Sequence, residues 1–339
     1  IMDKQAAVDR ERVELMQRVL YEVKKTVVGQ DHFLERVLVA MLAGGHLLVE
    51  GVPGLAKTLT VKTLAKVVSG DFKRIQFTPD LVPADLIGTR IYNQKTAEFT
   101  TSLGPVFTNL LLADEINRAP AKVQSALLEV MQEHQVTIAG VTYHVPEPFL
   151  VMATQNPIET EGTYPLPEAQ IDRFMMKVLV GYPSEDEEFV IVERVTGMLA
   201  GASGVTTTEA LLALQAECRR SFVDPSLISY AVRLVAATRE PAKYGLEELE
   251  QYVSFGASPR ATIHLIEAAR ALGFLRGRAY VLPEDVTDVA ADVLRHRLVR
   301  TYDAMADEVG SDQIVGKILT RVPAPEKPLE SHVEVEAGS

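Results

Sequence analysis

Lys57 and Thr58 close the run Gly51-Val52-Pro53-Gly54-Leu55-Ala56-Lys57-Thr58, which follows a short apolar segment and opens a helical pattern. Gly, four residues, then a small residue and Lys-Thr is the spacing of a phosphate-binding loop, here with Ala56 where the general pattern has glycine. Backbone amides rather than a side chain hold phosphates in such a loop, so Ala56 is compatible with it as long as its φ stays negative. The chemistry expected is triphosphate binding. Residues Gly51 through Leu59 are the expected cradle, Lys57 a point charge for the β- and γ-phosphates, and the Thr58 hydroxyl a Mg²⁺ ligand. Alone, the run could be a glycine-containing turn ahead of a helix.

A second group reduces that ambiguity. Asn109 to Asp114 is an apolar run ending in two acids, Asp114 and Glu115. The carboxyl ends of parallel strands are where open α/β sheets bind ligands. There Asp114 can hold Mg²⁺ through water and Glu115 can polarise an attacking water. Paired acids by themselves are more often a solvated strand end. Asn156, in Ala153-Thr154-Gln155-Asn156-Pro157, reads either as a turn residue or as an amide that bonds the γ-phosphate or the water. Arg173, in Gln170-Ile171-Asp172-Arg173-Phe174, is either a cation for phosphate or a surface partner of Asp172. Arg260 follows Ser258-Pro259 in a helix's first turn, where a cation opposes the helix dipole unless an anion faces it.

These residues need elements to position them. Apolar runs at 46–50, 75–77, 110–113, 149–153 and Met176–Val180 alternate with helical patterns, the first at 10–27 and 33–42. That predicts an α/β fold with five parallel strands, covered on both faces. Residues 91–103 and 135–145 break the rhythm and read as hairpins, the second around Ala139-Gly140. After Tyr182-Pro183 only helical patterns follow, at 185–199, Thr208–Cys218, 225–238, 259–272 and 283–297. The expected organisation is a nucleotide-binding core over 1–202, a hinge near Gly201–Gly204, an all-helical domain over 203–320, and a disordered Pro- and Glu-containing tail over 321–339.

The chain has 339 residues and a net charge of −12, which disfavours nucleic acid as a partner. Its one cysteine, Cys218, excludes an intrachain disulfide and reads as a small apolar helix residue. The seven histidines show no metal-ligand spacing, so the only metal expected is nucleotide-borne Mg²⁺. No secretory signal or bilayer-length apolar run is visible, so a cytoplasmic protein without a membrane partner is expected.

Taken together, Val28-Gly29-Gln30, the loop 51–58, Leu112 to Pro120 (Leu-Ala-Asp-Glu-Ile-Asn-Arg-Ala-Pro), residues 153–157 and the stretch from Glu161 to Phe174 resemble the MoxR family of AAA+ ATPases. The resemblance covers about residues 20–310, and Ala56 before the lysine is typical of that family. It implies ATP or ADP bound between subunits of a hexameric homo-oligomeric ring, with Val28, Gly29 and Gln30 near the adenine. It implies Asn156 as γ-phosphate sensor, Arg173 as an arginine finger for a neighbour's ATP and Arg260 as a second sensor. The two hairpins would be ring-face inserts. Client-protein remodelling or activation is implied too, often with a von Willebrand factor A-type partner and in metal-cofactor insertion. The rival readings are a nucleic-acid motor and a magnesium-chelatase-like subunit. The hairpin at 135–145 contains no Lys or Arg, which argues against the motor.

Overall fold

The computed structural model describes residues 2–51, 57–156, 162–196 and 201–326. Val52 to Ala56 and most of the tail lie outside the described residues. Five strands form one sheet: β1 (Leu47–Gly51), β2 (Phe72–Gln76), β3 (Leu110–Asp114), β4 (Leu150–Gln155) and β5 (Met176–Val180). Their order is β2-β3-β4-β1-β5 and every pairing is parallel, as the sequence predicts. β1, β3 and β4 are apolar almost throughout because helices cover both faces. β2 is different. It is an edge strand and carries Lys73, Arg74 and Gln76 on exposed positions. Its polar first half explains why the sequence places this strand only at 75–77.

The register decides which residues meet. Gln76 lies opposite Asp114, Leu112 opposite Met152, Val49 opposite Thr154, and Gly51 opposite Val180. The carboxyl ends of all five strands therefore share one edge of the sheet. At β1's end a side chain has no room, since a Cβ on Gly51 would come within 2.5 Å of the Val180 carbonyl oxygen.

Helix Asp31–Ala43 stops at Gly44 in the left-handed conformation, a common glycine C-terminus. Helix Ala121–Glu133 buries Val123, Leu127, Leu128, Val130 and Met131 in the core that also takes in β3 and β4. At the start of β1, His46 is buried. Its Nε2 donates to the Met131 carbonyl at 3.1 Å and its Nδ1 accepts the Val151 N–H at 3.0 Å. Both expected hairpins are present. One pairs Gly88–Asn93 with Glu98–Leu103, the other Gln135–Ile138 with Val141–His144. Ala139 and Gly140 both have positive φ, the geometry of a two-residue hairpin turn. Tyr143 donates its hydroxyl to Thr101 Oγ1 at 3.1 Å, so the two hairpins touch.

The chain divides into two compact units, residues 1–219 and 220–339. The division falls 17 residues later than the sequence reading puts it, at Arg219 rather than Ala202. Helix Thr208–Cys218 goes with the first unit because Gln215, buried, donates to the Met41 carbonyl at 2.6 Å. Cys218 is buried on that helix. The second unit holds helices Pro225–Arg239, Pro259–Leu275, Pro283–Leu294 and Ser311–Arg321. It is helical but not wholly so, since Val253–Phe255 and Val299–Arg300 pair as a short antiparallel ribbon. Two- and three-residue strands are too short to show a period of two. Among the described residues no helix is long and apolar enough to cross a membrane.

Candidate active site

Lys57 begins helix Lys57–Val67, directly after the loop residues that lie outside the described set. Its Nζ donates to the Gly51 carbonyl at 2.9 Å, which holds the ammonium over the end of β1. Burial lowers its proton affinity, and the negative charges of Asp114 and Glu115 act against that shift. The lysine and both acids thus share one electrostatic neighbourhood at the carboxyl edge of the sheet. Thr58 and Leu59 follow in the first turn of the same helix.

Asp114 ends β3, and Glu115 follows in the left-handed region at φ 55°, an uncommon conformation for a residue with a Cβ. Thr154 on β4 ties the two together. Its hydroxyl donates to Asp114 Oδ1 at 2.5 Å and accepts the Glu115 N–H at 2.9 Å. The other carboxylate oxygen, Oδ2, accepts from Arg74 on β2, at 2.6 Å from Nη2 and 3.2 Å from Nε. Gln76 accepts from Arg74 at 3.0 Å and donates to Glu115 Oε2 at 2.9 Å. Arg118 reaches the same oxygen at 3.1 Å. Glu115 is therefore held by two donors, clear of the Lys57 ammonium's bond to Gly51.

Arg74, Gln76, Thr154 and Arg118 carry no assigned role in the sequence reading. The available signal was the Arg-x-Gln spacing beside an apolar run, which puts two polar side chains on one face of a strand. What Arg74, Gln76 and Thr154 bond to could not be read, because Asp114 and Glu115 lie about 40 positions from each of them, whereas Arg118 stands only three residues after Glu115.

The remaining expected residues distribute unevenly. Asn156 directly follows β4 and so sits on the edge with the acids. Arg173 lies between helix Glu168–Ile171 and β5, with its N–H donating to the Gln170 carbonyl at 3.2 Å. Gly29 and Gln30 are both left-handed, and Gln30 Nε2 donates to the Gly181 carbonyl at 3.2 Å, one residue beyond β5. That puts Val28 to Gln30 at the β5 side of Gly51, opposite the acids. A Cβ on Gly29 would come within 2.5 Å of the Glu187 carboxyl group. Arg260 belongs to the second unit, in the first turn of helix Pro259–Leu275, with its N–H capped by Ser258 Oγ at 3.2 Å.

Residues 46–176 match the family model described as "ATPase family associated with various cellular activities (AAA)", and residues 246–318 match the AAA lid domain. Chaperone MoxR1 of Mycobacterium tuberculosis is 57% identical over 93% of this chain and 83% of its own length. The chain belongs to the MoxR family of AAA+ ATPases. Protein MoxR of Methylorubrum extorquens is 30% identical over 90% of this chain and 93% of its own. A Cytophaga hutchinsonii protein of known crystal structure superposes with a TM-score of 0.91 at 49% identity, covering 96% of this chain and all of that one. MoxR-family membership accounts for the parallel sheet core and the helical second unit as an ATP-hydrolysing architecture.

Such proteins use ATP with Mg²⁺ in general, and the residues here fit that ion. Mg²⁺ takes one or two protein oxygens and completes its shell with phosphate and water. Asp114 at the end of β3 and Thr58 in the first turn of helix Lys57–Val67 carry oxygens of that kind. No cluster of three His, Cys, Asp or Glu side chains suited to a metal occurs among the described residues, so a full protein cage is not offered there.

Proposed function

We propose that this protein hydrolyses Mg²⁺-bound ATP in a ring of its own copies and uses the cycle to remodel or activate partner proteins. The observation that carries the reading is the convergence of Lys57, Asp114 and Glu115 at the carboxyl ends of β1 and β3. The Gly51–Leu59 loop cradles the triphosphate and Lys57 turns its ammonium from the Gly51 carbonyl to the β- and γ-oxygens. Thr58 and Asp114 hold the ion, which neutralises charge between those oxygens when bound. Glu115 orients and polarises the water, and Asn156 donates to the γ-phosphate or that water. The adenine lies on the β5 side, against Val28, Gly29 and Gln30.

Arg173 serves as a finger for the ATP of a neighbouring subunit and Arg260 as the second sensor. The ring is hexameric and the role is that of a MoxR-type chaperone, with a client protein and a von Willebrand factor A-type partner. The 57% identity to the mycobacterial chaperone MoxR1 supports the chaperone part.

A single mixing experiment tests the core of this. Glu115→Gln should bind ATP and lose turnover by about 10²–10⁴-fold, because an amide cannot take up a proton from the attacking water. Arg173→Ala should also bind ATP and be inactive. Mixed after subunit exchange, the two should regain ATPase activity, since a Glu115-intact pocket can borrow Arg173 from its neighbour. Turnover by Glu115→Gln at the wild-type rate removes the catalytic assignment. A flat rate at every mixing ratio removes the trans-acting arginine and the ring argument with it.

A further inference from the structure

The geometry points to Arg74 as a resident competitor of Mg²⁺ at Asp114, a cation that must leave the carboxylate before the ion can be held. The two oxygens of Asp114 are tethered unequally. Oδ1 is held by Thr154, whose side chain is buried and also fixes the Glu115 N–H. That tether belongs to the interior of the sheet and has nowhere to go. Oδ2 is held by Arg74, whose side chain is 47% exposed on the edge strand β2. A long, half-exposed arginine can swing into water at little cost in hydration or packing.

Both N–H donors of Arg74 converge on Oδ2, so the guanidinium stands where a cation coordinated by that oxygen, or its bound water, would stand. A divalent ion and a guanidinium cannot share one exposed oxygen without strong mutual repulsion. The arginine is the partner free to move. Its departure also breaks its bond to Gln76, one of the two donors that hold Glu115, so loading of the ion is felt at the catalytic carboxylate. Arg74 is in this sense a positioning residue rather than a catalytic one.

The inference rests on the Mg²⁺–ATP reading of the site, and the test separates the two. Full-length protein is saturated with β,γ-imido-ATP, which cannot be hydrolysed, and Mn²⁺ is titrated in while bound ion is read by electron paramagnetic resonance. Arg74→Ala and Arg74→Gln should each lower the Mn²⁺ midpoint by about two- to fivefold, in keeping with a partly exposed charge pair. Because the side chain is exposed, both variants should fold, and circular dichroism confirms it. A midpoint unchanged or raised in both folded variants overturns the competition and makes Arg74 an orienting partner of Asp114 instead. A wild-type protein that binds no Mn²⁺ with the analogue overturns the Mg²⁺–ATP reading itself, and this inference with it.

Discussion

Asp114 and Asp285 each receive an arginine, one at the open edge of the sheet and the other inside the second unit. Around Asp285 every acceptor position is used. Arg278 donates to both oxygens at 2.7 Å in a fork, Arg276 adds a bond to Oδ1 at 3.3 Å, and the Leu282 N–H donates to Oδ2 at 2.8 Å. The side chain of Asp285 is fully buried. Asp114 has 20% of its side chain exposed, and its arginine spends both bonds on one oxygen. The pairing chemistry is the same, so closure is what separates a structural ion pair from a chemical one. Four donors and no solvent make Asp285 a fixed part of the helix start at Pro283, whereas Asp114 keeps one acceptor position unused on Oδ1 and holds its arginine at a solvent-exposed edge.

That contrast can be broken first at its closed end. Asp285→Ala strands Arg278 and Arg276 against a buried gap, and should cost about 3–5 kcal/mol of unfolding free energy, read by urea denaturation. A loss under about 1 kcal/mol would show that the network is an ordinary surface pair.

At the open end the effect should fall on ligand and not on fold. Lys57→Ala removes the proposed phosphate cation from a position that is only half buried. Nucleotide affinity should drop by about 2–5 kcal/mol, the usual range for a lost charged partner, while the unfolding midpoint without nucleotide stays nearly unchanged. Unaltered affinity for a fluorescent ATP analogue would remove the phosphate-loop assignment.

The smallest effect tests burial without an ion pair. His46 accepts from Val151 and donates to Met131, so its ring must be neutral, and burial lowers its pKa to about 4. A depressed histidine pKa means the unfolded chain takes up the proton first. Stability from this group is complete above pH 6.5 and is lost as the pH falls toward 4. Between pH 6.5 and 5 the loss should be about 2 kcal/mol. His46→Gln, which has no proton to gain there, should flatten the profile. An identical slope in the variant would assign the pH dependence to other groups.

Much of the site was legible because each of its main parts is local. The loop 51–58 announces itself by spacing, and Asp114-Glu115 by a run of apolar residues that stops at two acids. Strands buried on both faces read as plain hydrophobic runs, so β1, β3, β4 and β5 stood out while the polar edge strand β2 was seen only at its end. The division at Arg219 was not legible for a related reason. Thr208–Cys218 reads as a helix like those that follow it, and nothing in a helical pattern says which core the helix covers.

The amino-acid sequence by itself determined which residues could bind a triphosphate and that they would stand at strand ends, because phosphate cradles and buried strands are short-range patterns. Only the tertiary structure decided who holds the acids. The parallel register sets Gln76 against Asp114 and carries Thr154 to the turn between Asp114 and Glu115, joining groups about 40 residues apart. Strand order is a property of the whole sheet, fixed by which faces the helices can cover. No local pattern encodes it, and so Arg74 became visible as a partner of Asp114 only when β2 was found beside β3.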